Sequence, residues 1–444
     1  MKLILALAVA ASCVFRPGFS CAEDATSQLT GTWKPVSWLT RFDGGNTVEP
    51  FGPNPKGRLV LTPDSHWIII LNGFFIMAAA PASTRHTIIA MSEAARQSTK
   101  LFWAAIVVAL LVNLHATRST ADPQTWRQEW PVTDFTKHTV ALTDIRSGGP
   151  SKDGIPAIDS PRFEQLNAGG TGGWARNIVE NEPVISLVIG GDARAYPVRI
   201  LIWHEIVNDT VGGIPVVVTY CPLCNSGLVF KRSLDDRLFD FGTTGNLRNS
   251  DLVMYDWQTE SWWQQFTGEA IVGALSGRSL RLVPSRMESL ARFRQRFAGG
   301  KILVPTNPEA RNYGQNPYVG YDAAGRRPLL YDGSLPEGID PMERVVAVET
   351  APGRHEAWAL TLLRRERKIE SGDLIITWEP GQSSALDSRS IVDGRDVGGV
   401  VVQKRIAGAV VDAPYDVTFA FALHAFRNGS PIHGAARTGQ TESK

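Results

Sequence analysis

Cys221 and Cys224 form a Cys-x-x-Cys pair near the middle of Pro215–Phe230 (PVVVTYCPLCNSGLVF), where an apolar, β-branched run ends. The other two cysteines, Cys13 and Cys21, fall in an N-terminal leader. The pair is therefore the place where thiol chemistry would occur. A dithiol at this spacing can exchange with a disulfide, or two thiolates can chelate a soft metal ion. A third use is structural, a short-loop disulfide staple pinning the turn at Pro222. Two sulfurs are too few for a closed tetrahedral site, so His204 and Met254 are the candidate further ligands. With Cys221 and Cys224 they would make a set suited to copper. In the redox reading Cys221, Cys224 and His204 are the catalytic candidates, with Glu205 or Asp209 orienting the imidazole. Against this, a histidine beside Trp203 is also an ordinary packed, hydrogen-bonded residue. Asn225 follows Cys224 where a haem-attachment motif needs histidine, so covalent haem attachment has no support.

These residues sit among segments that read as strands: Val184–Ile189, Ala193–Ile200, Ile214–Tyr220, Gly227–Lys231, Leu238–Gly242, Leu374–Trp378, Val400–Val402 and Val417–Ala425. Trp203–Val207 reads as a short helix or turn, and Met287–Phe297 has helical spacing. Thr243, Thr244, Asn246, Arg248, Asn249 and Asp251 form a polar group that could line a pocket or make a turn. The expectation is an α+β fold, strand-rich, with largely antiparallel sheets, few helices and long loops. No internal repeat is evident.

The whole chain has 444 residues, 43% hydrophobic and 20% charged, with a formal net charge of +1. That supports two or three globular domains and gives no general attraction to nucleic acid. The run Arg364–Lys368 (RRERK) reads as a solvated face. Gly169–Gly173 (GGTGG) lacks the lysine and the strand-to-helix setting of a nucleotide cradle.

Met1–Ala22 has the form of a secretory signal peptide, and residues 91–121 repeat that form: Arg96 and Lys100, an apolar run Leu101–Ala116, then Ser119-Thr120-Ala121. The second run is shorter than the roughly twenty residues a membrane helix needs, but it is a candidate anchor. Two export signals in one chain suggest a fused reading frame, with a separate exported protein, periplasmic or extracellular, beginning near Asp122. Residues 23–76 would then be a remnant and residues 122–444 the main domain.

Two resemblances refine this. Gly31-Thr32-Trp33, Val48–Pro53, Gly57-Arg58-Leu59 and Thr62-Pro63-Asp64 resemble the opening of bacterial lipocalin-like domains over about 45 residues. That is too few strands to enclose a ligand. Arg194–Pro197 (RAYP), Trp203–Asp209 (WHEIVND), Thr219–Cys224 (TYCPLC), Asn249–Asp256 (NSDLVMYD), Trp262–Gly268 (WWQQFTG) and Tyr313-Gly314 closely resemble the bacterial domain of unknown function 3179, from about Lys137 to His433. Near the C-terminus the likeness weakens at His424, to which no role carries over. The resemblance implies family membership and assigns no reaction. Two functions remain open: an exported redox or soft-metal protein, or a non-catalytic binding or structural protein.

Overall fold

The computed structural model describes residues 123–166 and 173–436, and, before them, strand segments between residues 31 and 79. The chain divides into two compact units, residues 1–116 and 117–444. In the first unit Gly31–Trp33, Gly57–Leu61, His66–Leu71 and Phe74–Ala79 make an antiparallel four-stranded sheet. The proposed leader Met1–Ala22 and the apolar run Leu101–Ala116 lie outside the described residues.

The second unit overturns the α+β expectation. Strands hold 40% of the described residues and helices 14%, and the strands of this unit form five sheets of three to five strands and one two-stranded sheet, in a propeller-like arrangement. Its helices, such as Val198–His204 and Leu360–Glu366, are each seven residues long. Seven residues give about two turns, roughly 10 Å. Such a helix can cover the end of a sheet but cannot build the separate helical layer that an α+β domain has.

The sheets also disclose a repeat that the sequence hides. In the first copy, Pro183–Ile189 and Asp192–Pro197 form a hairpin that runs directly into the helix Val198–His204. An antiparallel meander of Ile206–Val211, Ile214–Cys221 and Ser226–Lys231 follows. The strand Arg286–Ser289 then returns to pair with Pro183–Ile189, leads into the helix Leu290–Arg296, and ends in Lys301–Val304, parallel to Asp192–Pro197.

The second copy repeats each step. Arg344–Ala351 and Arg354–Ala359 form the hairpin, Leu360–Glu366 the helix, and Lys368–Ser371, Leu374–Glu379 and Gly399–Ile406 the meander. Asp416–Phe419 returns to Arg344–Ala351, enters the helix Ala420–Phe426, and Ile432–His433 closes parallel to Arg354–Ala359. Between the two arms of the first copy is an inserted sheet containing Phe241–Arg248, Asp251–Asp256, Trp262–Gln264 and Glu269–Val272.

Two expected strands change character partway. Ala193–Ile200 is a strand only to Pro197, and Val417–Ala425 only to Phe419; a helix follows directly in each case. The cap residues Pro197 and Phe419 are extended and make no side-chain cap bond. No Ser, Thr, Asp or Asn marks these helix starts, so the apolar run crosses the boundary without a signal.

Candidate functional site

The cysteine strand, Ile214–Cys221, is the central strand of its meander, and its last six residues are buried. Central position and β-branched residues explain the burial: Val216, Val217 and Val218 are fully covered from solvent. At its end Pro222 opens a turn in which the Asn225 amide donates to the Pro222 carbonyl, with Asn225 at φ 52°. Asparagine tolerates that left-handed backbone better than most residues. The turn places Cys221 and Cys224 side by side, both free thiols, 1% and 0% exposed.

A second turn approaches from the inserted sheet. Asn249 and Ser250, at φ 52° and 64°, reverse the chain between Phe241–Arg248 and Asp251–Asp256. Both thiols donate to the Ser250 carbonyl, Cys224 at 3.4 Å and Cys221 at 3.8 Å. The next residue, Asp251, brings its carboxylate to the sulfurs. Ligand atoms of Cys221, Cys224 and Asp251 all lie within 4.8 Å of one another, and all three residues are buried.

Asp251 accepts one bond from Gln264 Nε2 at 2.6 Å and one from the Phe266 amide at 2.9 Å, both on the same oxygen, Oδ2. Its Oδ1, the Ser250 hydroxyl and Gln265 Oε1 are buried without a hydrogen-bond partner. Native interiors leave few such groups unpaired.

The electrostatics follow from burial. Desolvation pushes Asp251 up to about 6, although its Gln264 and Phe266 donors, and then the two neighbouring thiols, hold it back. Desolvation also raises Cys221 and, more strongly, Cys224, and nearby Asp251 adds to both. Glu205 is pushed up to about 8, by burial first and by the charge of Asp251 second. Without a counter-charge, every acid here is held towards its neutral form.

The cysteine turn is held from the far side by the second copy. The Phe419 amide and the Thr418 hydroxyl donate to the Cys224 carbonyl at 3.0 and 2.9 Å. Asn225 Nδ2 donates to the Val417 carbonyl, and the Ser226 hydroxyl donates to Asp416 at 2.6 Å. Tyr321 reaches in from the loop that follows Val304 and donates to the Leu223 carbonyl at 3.1 Å.

The other sequence candidates are placed as follows. His204 ends the helix Val198–His204 and has both ring nitrogens engaged. Nδ1 lies 2.8 Å from the Pro156 carbonyl and so carries the proton, while Nε2 accepts from the Tyr313 hydroxyl at 2.8 Å. Burial lowers its pKa. It is not part of the group around the sulfurs. Met254 is fully buried in the same apolar cluster as both cysteines, three residues beyond Asp251. Strand alternation puts those two side chains on opposite faces.

Asp209 does not orient His204. It accepts from Arg194 at 2.7 Å and Tyr196 at 2.6 Å, tying the RAYP and WHEIVND strings together as a buried brace. Arg199 is paired with buried Glu182. Thr243, Thr244 and Asn246 are buried within the strand Phe241–Arg248, not in an open loop. Sequence reasoning set Asp251 among those polar residues without joining it to the thiols. The signal available was the Asn249-Ser250 pair, a turn at the head of an apolar strand.

A family model described as "Protein of unknown function (DUF3179)" matches residues 152–439. The chain belongs to this family. The DUF3179 match covers both copies of the repeat, the four inserted strands and every residue of the thiol–carboxylate group. No curated protein and no solved structure matches the chain.

Proposed function

We propose that this DUF3179 protein binds a thiophilic metal cation through Cys221, Cys224 and Asp251. The observation that carries the reading is the buried convergence of two sulfurs and a carboxylate oxygen within 4.8 Å, beside a carboxylate oxygen with no hydrogen-bond partner. A buried set of acids at this density is stable either protonated or around a cation. A cation would satisfy Asp251 Oδ1 and bring the thiols to the thiolate form that binds metal.

Dithiol exchange is the weaker use of the same pair. Exchange needs an accessible thiolate of lowered pKa, whereas both thiols are covered and raised. The proposal includes the compartment suggested by the two export-like segments. Outside the cytoplasm a free Cys-x-x-Cys pair tends to oxidise, and ligation would protect it.

The test is metal analysis of the full chain purified under reducing conditions, beside the Cys221→Ser/Cys224→Ser variant. One ion per chain in the parent and none in the variant is the expected result. A parent that is metal-free and takes up neither Zn2+ nor Cu+ on titration overturns the reading.

A further inference from the structure

Three protein ligands leave a tetrahedral ion one short, and one buried side chain nearby has nothing to do. Among the described residues, the other buried carboxylates outside the thiol group are all committed. Glu182 pairs with Arg199, Asp209 with Arg194, Asp256 accepts from Trp263, Glu288 pairs with Arg296, Asp322 with Arg344, and Asp416 accepts from Ser226. The Glu205 carboxylate, in a residue only 7% exposed, has no hydrogen bond and no ion pair.

The backbone of Glu205 is fixed next to the thiols. Its amide donates to the Leu201 carbonyl, and its carbonyl accepts from the Tyr220 amide at 2.8 Å, one residue before Cys221. Glu205 is held at φ 60°, ψ −30°. That backbone is a property of the repeated architecture, since Arg367 at the matching place has φ 63°, ψ −37°. The side chain is what differs. Arg367 lies over the Trp378 ring at 4.4 Å, while Glu205 has no such engagement.

We propose that Glu205 is the fourth ligand of the site and that the ion is divalent and of borderline softness, as Zn2+ is, not Cu+. This rests on the metal reading above. Glu205 stands outside the 4.8 Å group, and its flexible side chain carries no bond that would resist a swing onto the ion. Two thiolates and two carboxylates present two soft and two hard donors. Carboxylate oxygen suits Zn2+ and is a poor partner for Cu+, which selects sulfur. Four negative ligands around a divalent ion leave a formal charge of 2 − 4 = −2, the same balance as a four-cysteine zinc site.

The experiment titrates the reduced, chelator-treated full chain with Co2+, Zn2+ and Cu+, in the parent and in Glu205→Gln and Glu205→Gly. Glutamine keeps the volume, and glycine suits the positive φ, so at least one variant should retain the metal-free melting temperature. The expected parent result is one Co2+ with sulfur-to-cobalt charge transfer and intense tetrahedral bands, displaced by Zn2+. Both variants should bind at least about 100-fold more weakly, beyond the effect usual for an outer-shell residue, with altered visible bands. Unchanged affinity and bands in both variants overturn the Glu205 assignment and leave the metal reading intact. A parent that takes Cu+ but neither Co2+ nor Zn2+ overturns the ion class. A parent that takes none overturns both proposals.

Discussion

In the first copy of the repeat the residue after the seven-residue helix is Glu205, facing Tyr220 across the first rung of the meander; in the second copy it is Arg367, facing Trp378. The backbone does the same thing in both places: the Tyr220 amide donates to the Glu205 carbonyl, and the Trp378 amide to the Arg367 carbonyl, each at 2.8 Å. One residue further on, the first copy has Cys221, 1% exposed, and the second has Glu379, exposed and paired with Arg292. Burial explains the divergence. Each meander is packed by the other copy's returning strand, but the first also lies beneath the inserted sheet, while the second has largely exposed outer strands, Lys368–Ser371 and Ala409–Asp412. One architecture thus carries a buried thiol–carboxylate group in one copy and an exposed ion pair at the matching place in the other.

Separate roles for the copies can be broken by mutation. The largest effect is expected from Trp378→Ala, which empties a ring 2% exposed in the core of the second copy. It should cost about 3–5 kcal/mol in urea unfolding and leave metal content per folded chain unchanged. Loss of metal from chains that remain folded would show that the second copy is not a mere scaffold.

Next comes a pH effect where the copies meet. Asp416 is pushed up to about 7, by burial first, against an ordinary value of 3.8. A carboxylate whose folded pKa is raised gives its stability below the unfolded pKa and loses it as pH rises through the folded one. The metal-free protein should therefore weaken between about pH 4 and pH 7, by up to roughly 4 kcal/mol from this group. Asp251 at about 6 and Glu205 at about 8 act in the same direction. Asp416→Asn should flatten that slope in a stability–pH series, and an unchanged slope would place the titration elsewhere.

Smaller effects sharpen the comparison at the matching residues. Glu205→Gly removes a left-handed backbone penalty of about 1 kcal/mol and should raise the melting temperature of the metal-free chain. Arg367→Ala removes a partly exposed cation–π contact and should lower stability by about 0.5–1 kcal/mol. If both changes moved stability in the same direction, side-chain commitment would not be what separates the copies.

The cysteine pair and the strand that carries it were legible because β-branched runs and a Pro-containing turn are local signals. The repeat was not, because its four strand-to-helix junctions start after Pro197, Ser289, Ala359 and Phe419 without a side-chain cap bond. Asp251 and Glu205 were in view as residues but not as partners of the thiols. Asp251 arrives from a different sheet, and Glu205 is distinguished only by its missing partner, which no spacing encodes. His204 drew attention by its flanking residues; its ring nitrogens are taken by Pro156 and Tyr313, the latter 109 positions away.

The bonds from Val417, Thr418 and Phe419 to the cysteine turn bear on the order in which the protein is made. Thr418 and Cys224 are 194 residues apart in the chain, a separation of the kind that slows folding. A ribosome that has just completed the Cys-x-x-Cys motif has made neither the strand that will clamp it nor the lining contributed by Tyr321. Until the strand Asp416–Phe419 emerges, the pair is an exposed dithiol on an unfinished chain, open to oxidation and to aggregation through its apolar strand. A nonsense mutation between Asn225 and Asp416 should therefore yield a product with both cysteines and without the strand that holds their turn.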